Sequence, residues 1–254
     1  MTIYFISDMH FGDQSVMSKY DKRPFKTLDE MERVMIQRWN KRVSDNDRVY
    51  ILGDMFHKSV SVEKAESILS QLNGKKYYII GNHEETVDQM RNEWFEKLIV
   101  CRGYSDSIIQ LLSYKDTEVL KINGWEVILS HYPMLANKNT FNSNNKRTIH
   151  LYGHVHNSQE EKIFQLSKLA RMDHKKTVNK NLSVNVGCMM PYMNYTPRTL
   201  EELIDVAKED SDVLFSIRRN TYSFINFNNE IRDLEKYRDE WLLKRIKNCT
   251  SNIL

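Results

Sequence analysis

The stretch YFISDMHFGD, residues 4–13, decides how this chain is read. An apolar run with the composition of a buried strand stops at Asp8, and His10 follows two residues later. Side chains alternate along an extended chain, so Asp8 and His10 are expected to point the same way. Alone, the pair is as compatible with polar punctuation at a strand end as with a pair of ligands. The sequence beyond the other apolar runs separates these readings.

Working outward, the run 48–52 leads into Gly53-Asp54, and 76–80 into Gly81-Asn82-His83-Glu84. Further on, 126–129 leads into Ser130-His131, 148–152 into Gly153-His154-Val155-His156, and 182–186 into Gly187. Residues 28–43 carry Leu28, Met31, Met35, Trp39 and Val43 at helical spacing, and 62–72 carry Ala65, Ile68, Leu69 and Leu72. Strand and helix alternating in this way imply crossover units and a partly parallel sheet. Later, 107–112, 117–122 and 125–129 read as consecutive strands, with Asn123-Gly124 as a hairpin turn between the last two. The expected fold is α/β: a two-sheet β-sandwich of mixed sheets flanked by helices.

Residues 137–146 read as an Asn-rich loop, 200–208 as a short helix, and 228–247 as a longer helix with one apolar face. A catalytic domain is expected over 1–205. Residues 206–254 form a C-terminal extension whose helix packs on the same domain; a dimer contact or partner groove is the alternative for that apolar face.

Composition narrows the function classes. No apolar run approaches the roughly 18 residues of a membrane span. No basic, apolar and small-residue series marks a signal peptide. Cys101, Cys188 and Cys249 are too few and too scattered for a disulfide framework, which fits a reducing, cytoplasmic setting. A net charge of +3 does not demand a nucleic-acid partner. The segment 162–180, with Lys162, Lys168, Arg171, Lys175, Lys176 and Lys180, is locally basic. It reads as a solvated face, with attraction of a phosphate-bearing substrate as the alternative.

Five successive strand ends thus deliver Asp8, His10, Asp54, Asn82, His83, His131, His154 and His156, which include five of the chain's eight histidines. Ligands of α/β sheets gather at the carboxyl ends of strands. Imidazole with carboxylate suits two divalent metals, drawn from Mn, Fe, Ni, Co or Zn. Gly53, Gly81 and Gly153 keep bulk away just before the ligands.

These blocks, in this order, resemble the calcineurin-like metallophosphoesterase superfamily. Arg23-Pro24-Phe25, Trp39-Asn40, Asn185-Val186-Gly187 and Asn194-Tyr195 resemble its small bacterial and phage-type members. The resemblance implies that Asp8, His10 and His156 hold one metal, that Asn82, His131 and His154 hold the second, and that Asp54 bridges them. It implies hydrolysis of a phosphate ester by a metal-bridging hydroxide, with Mn the favoured metal. His83 would protonate the leaving oxygen or stabilise charge, and Glu84 would orient it. The favoured substrate is a phosphodiester of a nucleotide or other small molecule. A nuclease, or a metal-binding scaffold on the same fold, is the alternative.

Three further residues are substrate-binding candidates. Arg23 is a potential phosphate clamp, His57 follows Asp54 closely, and Tyr195 could stack on a base or fill the core. His150, inside a strand, reads as structural, and His174 as solvated.

Overall fold

The first apolar run forms strand β1 (Ile3–Ile6), beside β2 (Arg48–Ile51) in parallel, with Tyr4 opposite Val49. The computed structural model describes residues 1–83, 87, 94–99, 117–134, 147–171 and 181–221; at 97–99, 166–171 and 211–221 it describes the backbone alone. Strand β3 (Lys75–Ile79) continues the parallel series on β2, and β4 (Lys97–Ile99) follows on β3.

Helix α1 (Leu28–Arg42) makes the first crossover. Thr27 caps it by accepting from the Glu30 N–H at 3.1 Å, while Asp29 and Glu30 sit at its positive end and Lys41 and Arg42 at its negative end. Met31, Met35 and Trp39, four residues apart, form its buried face, and Trp39 Nε1 donates to the Asn73 carbonyl at 2.9 Å. Helix α2 (Val62–Gln71), capped by Ser61, makes the second crossover and buries Ala65, Ile68 and Leu69.

The second sheet begins as the expected hairpin: β5 (Glu118–Ile122) and β6 (Trp125–Leu129) are antiparallel around Asn123 and Gly124. Both turn residues have positive φ, 47° and 78°, the signature of a type I′ turn. Strands β7 (Arg147–Tyr152) and β8 (Asn181–Asn185) extend this sheet in parallel from β6. Helix α3 (Gln159–Arg171) lies between them in the chain. Strand β9 (Arg198–Thr199) returns to the first sheet, antiparallel to β1. The sheet orders are β4-β3-β2-β1-β9 and β5-β6-β7-β8, so both sheets are mixed. Phe5, Ile51, Val127, Leu151 and Val184 belong to one buried apolar cluster that spans both sheets. The architecture is the expected α/β pair of sheets flanked by helices.

One element is longer than expected. Helix α4 runs over Leu200–Thr221, beyond the short helix read at 200–208, and residue 205 lies inside it. Its start is a capping box: Glu202 Oε2 accepts from the Thr199 N–H at 2.9 Å, and Thr199 Oγ1 accepts from the Glu202 N–H at 3.4 Å. A helix with a fixed first turn propagates at little cost, and α4 carries on through the acidic 209–212 segment. The expected strand at 107–112, loop at 137–146 and helix at 228–247 lie outside the described residues, as do Glu84 and His174. Among the described residues, no helix is long and apolar enough to cross a membrane.

Candidate metal centre

Beyond β1 the chain leaves the sheet but does not stray. Ser7 bridges to Gly187, the Asp8 N–H donates to the Gly53 carbonyl at 3.1 Å, and the His10 N–H donates to the Asp54 carbonyl at 3.1 Å. The segments after β1 and β2 therefore run side by side past the sheet's edge. Asp8, His10, Asp54, His154 and His156 all have left-handed backbones, with φ of 54°, 50°, 52°, 68° and 50°. Such conformations cost about 1–2 kcal/mol per non-glycine residue and persist where the surroundings over-determine them. This corrects the alternation argument: Asp8 and His10 do converge, but through left-handed turns beyond the strand, not through the pleat of an extended chain.

The convergence forms two groups. Ligand atoms of Asp8, His10 and His156 lie within 4.8 Å of one another, and so do those of Asp54, His131 and His154. Asp54 Oδ2 lies 3.7 Å from His10 Nε2 in one group and 3.5 Å from His131 Nε2 in the other. Its other oxygen, Oδ1, accepts from the backbone N–H groups of Asn82 and His83 at 3.1 and 3.0 Å. Asp54 is thereby locked with one oxygen between the groups. Asn82 Oδ1 joins the second group, 2.9 Å from His131 Nε2 and 2.8 Å from His154 Nδ1.

The donor set fits cations. His131 Nδ1 faces the Leu52 carbonyl at 2.7 Å, and a carbonyl only accepts, so Nδ1 carries a proton. In the neutral ring the Nε2 lone pair is then aimed at Asn82 Oδ1 and Asp54 Oδ2. His156 Nδ1 faces Asp21 Oδ1 at 2.7 Å, which leaves its Nε2 lone pair 3.2 Å from His10 Nε2. Lone pairs thus converge where a metal would satisfy them.

The electrostatics of the metal-free cluster show the same conflict. Burial lowers His10 to about 3, and burial with the charge of His131 lowers His154 to about 3. Burial also works against protonated His131, but the Asp54 carboxylate beside it, aided by Asp8, raises it to about 9. Burial raises Asp8, while Asp54, despite its burial, is held far below the usual carboxylate range by His131, His10 and His83. Neighbouring titratable groups driven apart in this way mark functional sites.

Two glycines permit the assembly. A Cβ on Gly53, whose φ is 87°, would lie 2.4 Å from His131 Nδ1, and one on Gly153 would lie 1.9 Å from Ser7 Oγ and 2.4 Å from Asp8 Oδ2. The Gly153 position lets the His154 N–H reach both Asp8 oxygens, at 3.0 and 3.1 Å.

A cavity of about 640 Å³ opens over the cluster. His57 and exposed His83 line it with His10, Asp54, Asn82, His154 and His156. Arg23 and Tyr195 do not line it. Arg23 is buried, and its guanidinium donates to Asp21 and to the carbonyls of Asp8 and Met9, so its fork is spent inside the protein. Tyr195 packs edge-on against Phe25 with ring centres 4.9 Å apart, and is 7% exposed. His150 is structural as expected, its Nε2 2.8 Å from Ser130 Oγ. Cys188 is buried and its thiol is pushed up to about 12, chiefly by burial, which makes it a poor nucleophile.

Sequence reading passed over Asp21, which sits in a charged DKR run like any solvated one, and Tyr132, whose ring lies 4.5 Å from that of His154. Asn185, noted only within a motif, donates from Nδ2 to the His156 carbonyl at 3.0 Å and accepts from the Gly187 N–H at 2.8 Å.

Comparison with known proteins adds sequence and fold relationships. An uncharacterized protein of Methanocaldococcus jannaschii is 30% identical over 167 residues, 66% of this chain and 90% of that protein. A crystal structure of a protein of unknown function from Aquifex aeolicus aligns over 81% of this chain and 98% of its own, with a TM-score of 0.55 and 21% identity, a likeness of fold. The model of the calcineurin-like phosphoesterase family matches residues 1–158, a span that contains both ligand groups and the cavity-lining histidines. The chain belongs to the calcineurin-like phosphoesterase family, a family of metal-dependent phosphoester hydrolases.

Proposed function

We propose that this chain is a dinuclear metal-dependent phosphoesterase that hydrolyses a phosphodiester of a nucleotide or another small molecule. The observation that carries this reading is Asp54 Oδ2, set between two groups of converging lone pairs. Asp8, His10 and His156 would hold one metal, Asn82, His131 and His154 the other, and Asp54 would be shared between them, with Mn the favoured ion. Bound divalent metals supply Lewis acidity toward phosphoryl oxygens and lower the pKa of water.

The chain's own groups do the rest. Asp54 Oδ1 fixes the backbone of Asn82 and His83, which orients a ligand and a catalytic side chain together. His83, exposed on the cavity wall, delivers a proton to the leaving oxygen. His57 contributes to the wall on which the substrate rests. Among the described lining residues Lys58 is the one lysine or arginine, beside the carboxylates Asp13, Asp21 and Glu160. A cavity of about 640 Å³ suits a small substrate.

The test strips the protein of metal, restores Mn²⁺, and assays bis-p-nitrophenyl phosphate beside p-nitrophenyl phosphate. A panel of cyclic nucleotides, dinucleotides, phosphomonoesters and oligonucleotides follows. Metal-dependent turnover with the diester faster is expected. No metal-dependent turnover of any member would contradict the proposal, and a preference for oligonucleotides would redirect it to a nuclease.

A further inference from the structure

The Arg23 side chain is fully enclosed; it touches the core at Met31 Sδ, 3.8 Å away, and the Tyr195 ring, but the oxygens it donates to all lie in or beside the segments that build one ligand group. Nε donates to Asp21 Oδ2 at 2.9 Å, and Nη2 lies 2.9 Å from the same oxygen as an ion pair. Nη1 donates to the Met9 carbonyl at 2.7 Å, and Nη2 to the Asp8 carbonyl at 2.9 Å. Asp21 Oδ1, on the far side of the same carboxylate, accepts from His156 Nδ1 at 2.7 Å. Asp21 itself is delivered by a single π-helical turn, Val16–Tyr20, and its side chain is 2% exposed.

These contacts join His156 to the Asp8–Met9 backbone, which carries Asp8 and runs directly into His10. All three members of the first ligand group are tied by one carboxylate and one guanidinium. Neither Asp21 nor Arg23 touches the side chains of the second group: His131 is held by the Leu52 carbonyl and Asp54 by the N–H groups of Asn82 and His83, while His154 meets the first group only through its backbone N–H on Asp8.

We infer that Asp21 and Arg23 are positioning residues for one metal of the pair: Asp21 holds His156 in the tautomer that presents Nε2, and Arg23 fastens Asp21 to the left-handed turn bearing Asp8 and His10. The inference rests on the dinuclear reading above. It replaces the role of phosphate clamp expected for Arg23.

The chemistry gives a sharp perturbation. In Asp21→Asn the amide oxygen still satisfies Arg23, so the amide NH₂ is left facing His156 Nδ1. The imidazole must then accept at Nδ1 and carry its proton on Nε2, the atom that should bind metal. The near-isosteric change thus installs the wrong tautomer with little change of shape, as the equivalent exchange does in serine-protease triads. Loss of a partner behind a metal-bound histidine lowers affinity about 10–100-fold.

The experiment measures Mn²⁺ binding to the metal-stripped full chain by titration calorimetry and electron paramagnetic resonance. Wild type, Asp21→Asn and Arg23→Lys are compared after far-UV circular dichroism has confirmed folding. Wild type should take up two ions with the spectrum of a coupled pair. In both variants one ion should bind about 10–100-fold more weakly, the other unchanged, and the spectrum should become that of a single bound ion. If Arg23→Lys does not fold, the near-isosteric Asp21→Asn decides alone. Wild-type affinity for both ions in Asp21→Asn would overturn the inference, and so would equal weakening of both, which signals general loosening. A wild type that binds no Mn²⁺ would instead overturn the metal reading itself, and this inference with it.

Discussion

Replacing Gly153 with alanine tests whether the cluster is as tightly determined as its contacts suggest. The added Cβ would lie 1.9 Å from Ser7 Oγ and 2.4 Å from Asp8 Oδ2. Against an ordinary contact of about 3.5 Å, these atoms must retreat by roughly 1.5 and 1 Å. Neither is free to do so. Ser7 accepts from the Cys188 N–H at 2.8 Å and its hydroxyl lies 3.0 Å from the Leu52 carbonyl, while Asp8 accepts from the His154 N–H through both oxygens. Overpacking costs about 1–3 kcal/mol, and disturbing hydrogen bonds to a charged group a further 1.5–3 kcal/mol or so. The sum, about 2.5–6 kcal/mol, should lower Tm by roughly 5–24 °C for a chain of this size. Gly124→Ala is the control: its φ is 78° and a Cβ there meets nothing within 4 Å. It should show backbone strain alone, about 1–2 kcal/mol. Thermal unfolding of both metal-free variants, followed by Mn²⁺ titration, makes the comparison. Gly153→Ala should be much less stable and bind metal weakly, whereas Gly124→Ala should bind normally. A Gly153→Ala protein no less stable than the control, with wild-type metal affinity, would refute the reasoning.

The remaining predictions separate the roles assigned to individual groups. Asp54→Ala should abolish uptake of both ions, checked by metal analysis after dialysis. His83→Ala should keep both ions and lose about 10²–10⁴-fold in kcat on a diester with a poor leaving group; with p-nitrophenolate, which needs little protonation, the loss should shrink. In the metal-free protein, His10 and His154 are lowered to about 3 from 6.5, so the unfolded chain binds more protons between those values and stability falls on acidification below 6.5. His131 is raised from 6.5 to about 9, so its contribution is complete below 6.5 and lost as pH rises through 9. Tm measured in chelator should therefore peak near pH 6.5, and a steady climb from about pH 5 to about pH 9 would contradict these shifts. Thr27→Ala removes the α1 cap and should cost about 1 kcal/mol, with no change in metal binding.

The strand ends were legible because apolar runs stop abruptly at Asp8, Asp54, Asn82, His131 and His154, and burial makes such runs conspicuous. The hairpin at Asn123-Gly124 was legible because few residue pairs adopt two positive φ values in succession. What positions the ligands was not. Left-handed φ at Asp8 or His156 is imposed by tertiary contacts, and neither residue type announces it. Asp21 and Arg23 sit among exposed-looking charges, and their burial follows only from where the π turn delivers them. Tyr195 carries aromatic surface that suits a base or a core equally; the fold places Phe25 against it. The extent of α4 escaped because Asp210, Ser211 and Asp212 are weak helix formers that interrupt the helical pattern, whereas the cap at Thr199 and Glu202 fixes the helix's start.

Anomalous diffraction from crystals grown with Mn²⁺ tests the central claim most directly. The account predicts two peaks: one bound by Asp8, His10 and His156, the other by Asn82, His131 and His154, with Asp54 Oδ2 in contact with both. A single peak, or peaks away from Asp54, would contradict it.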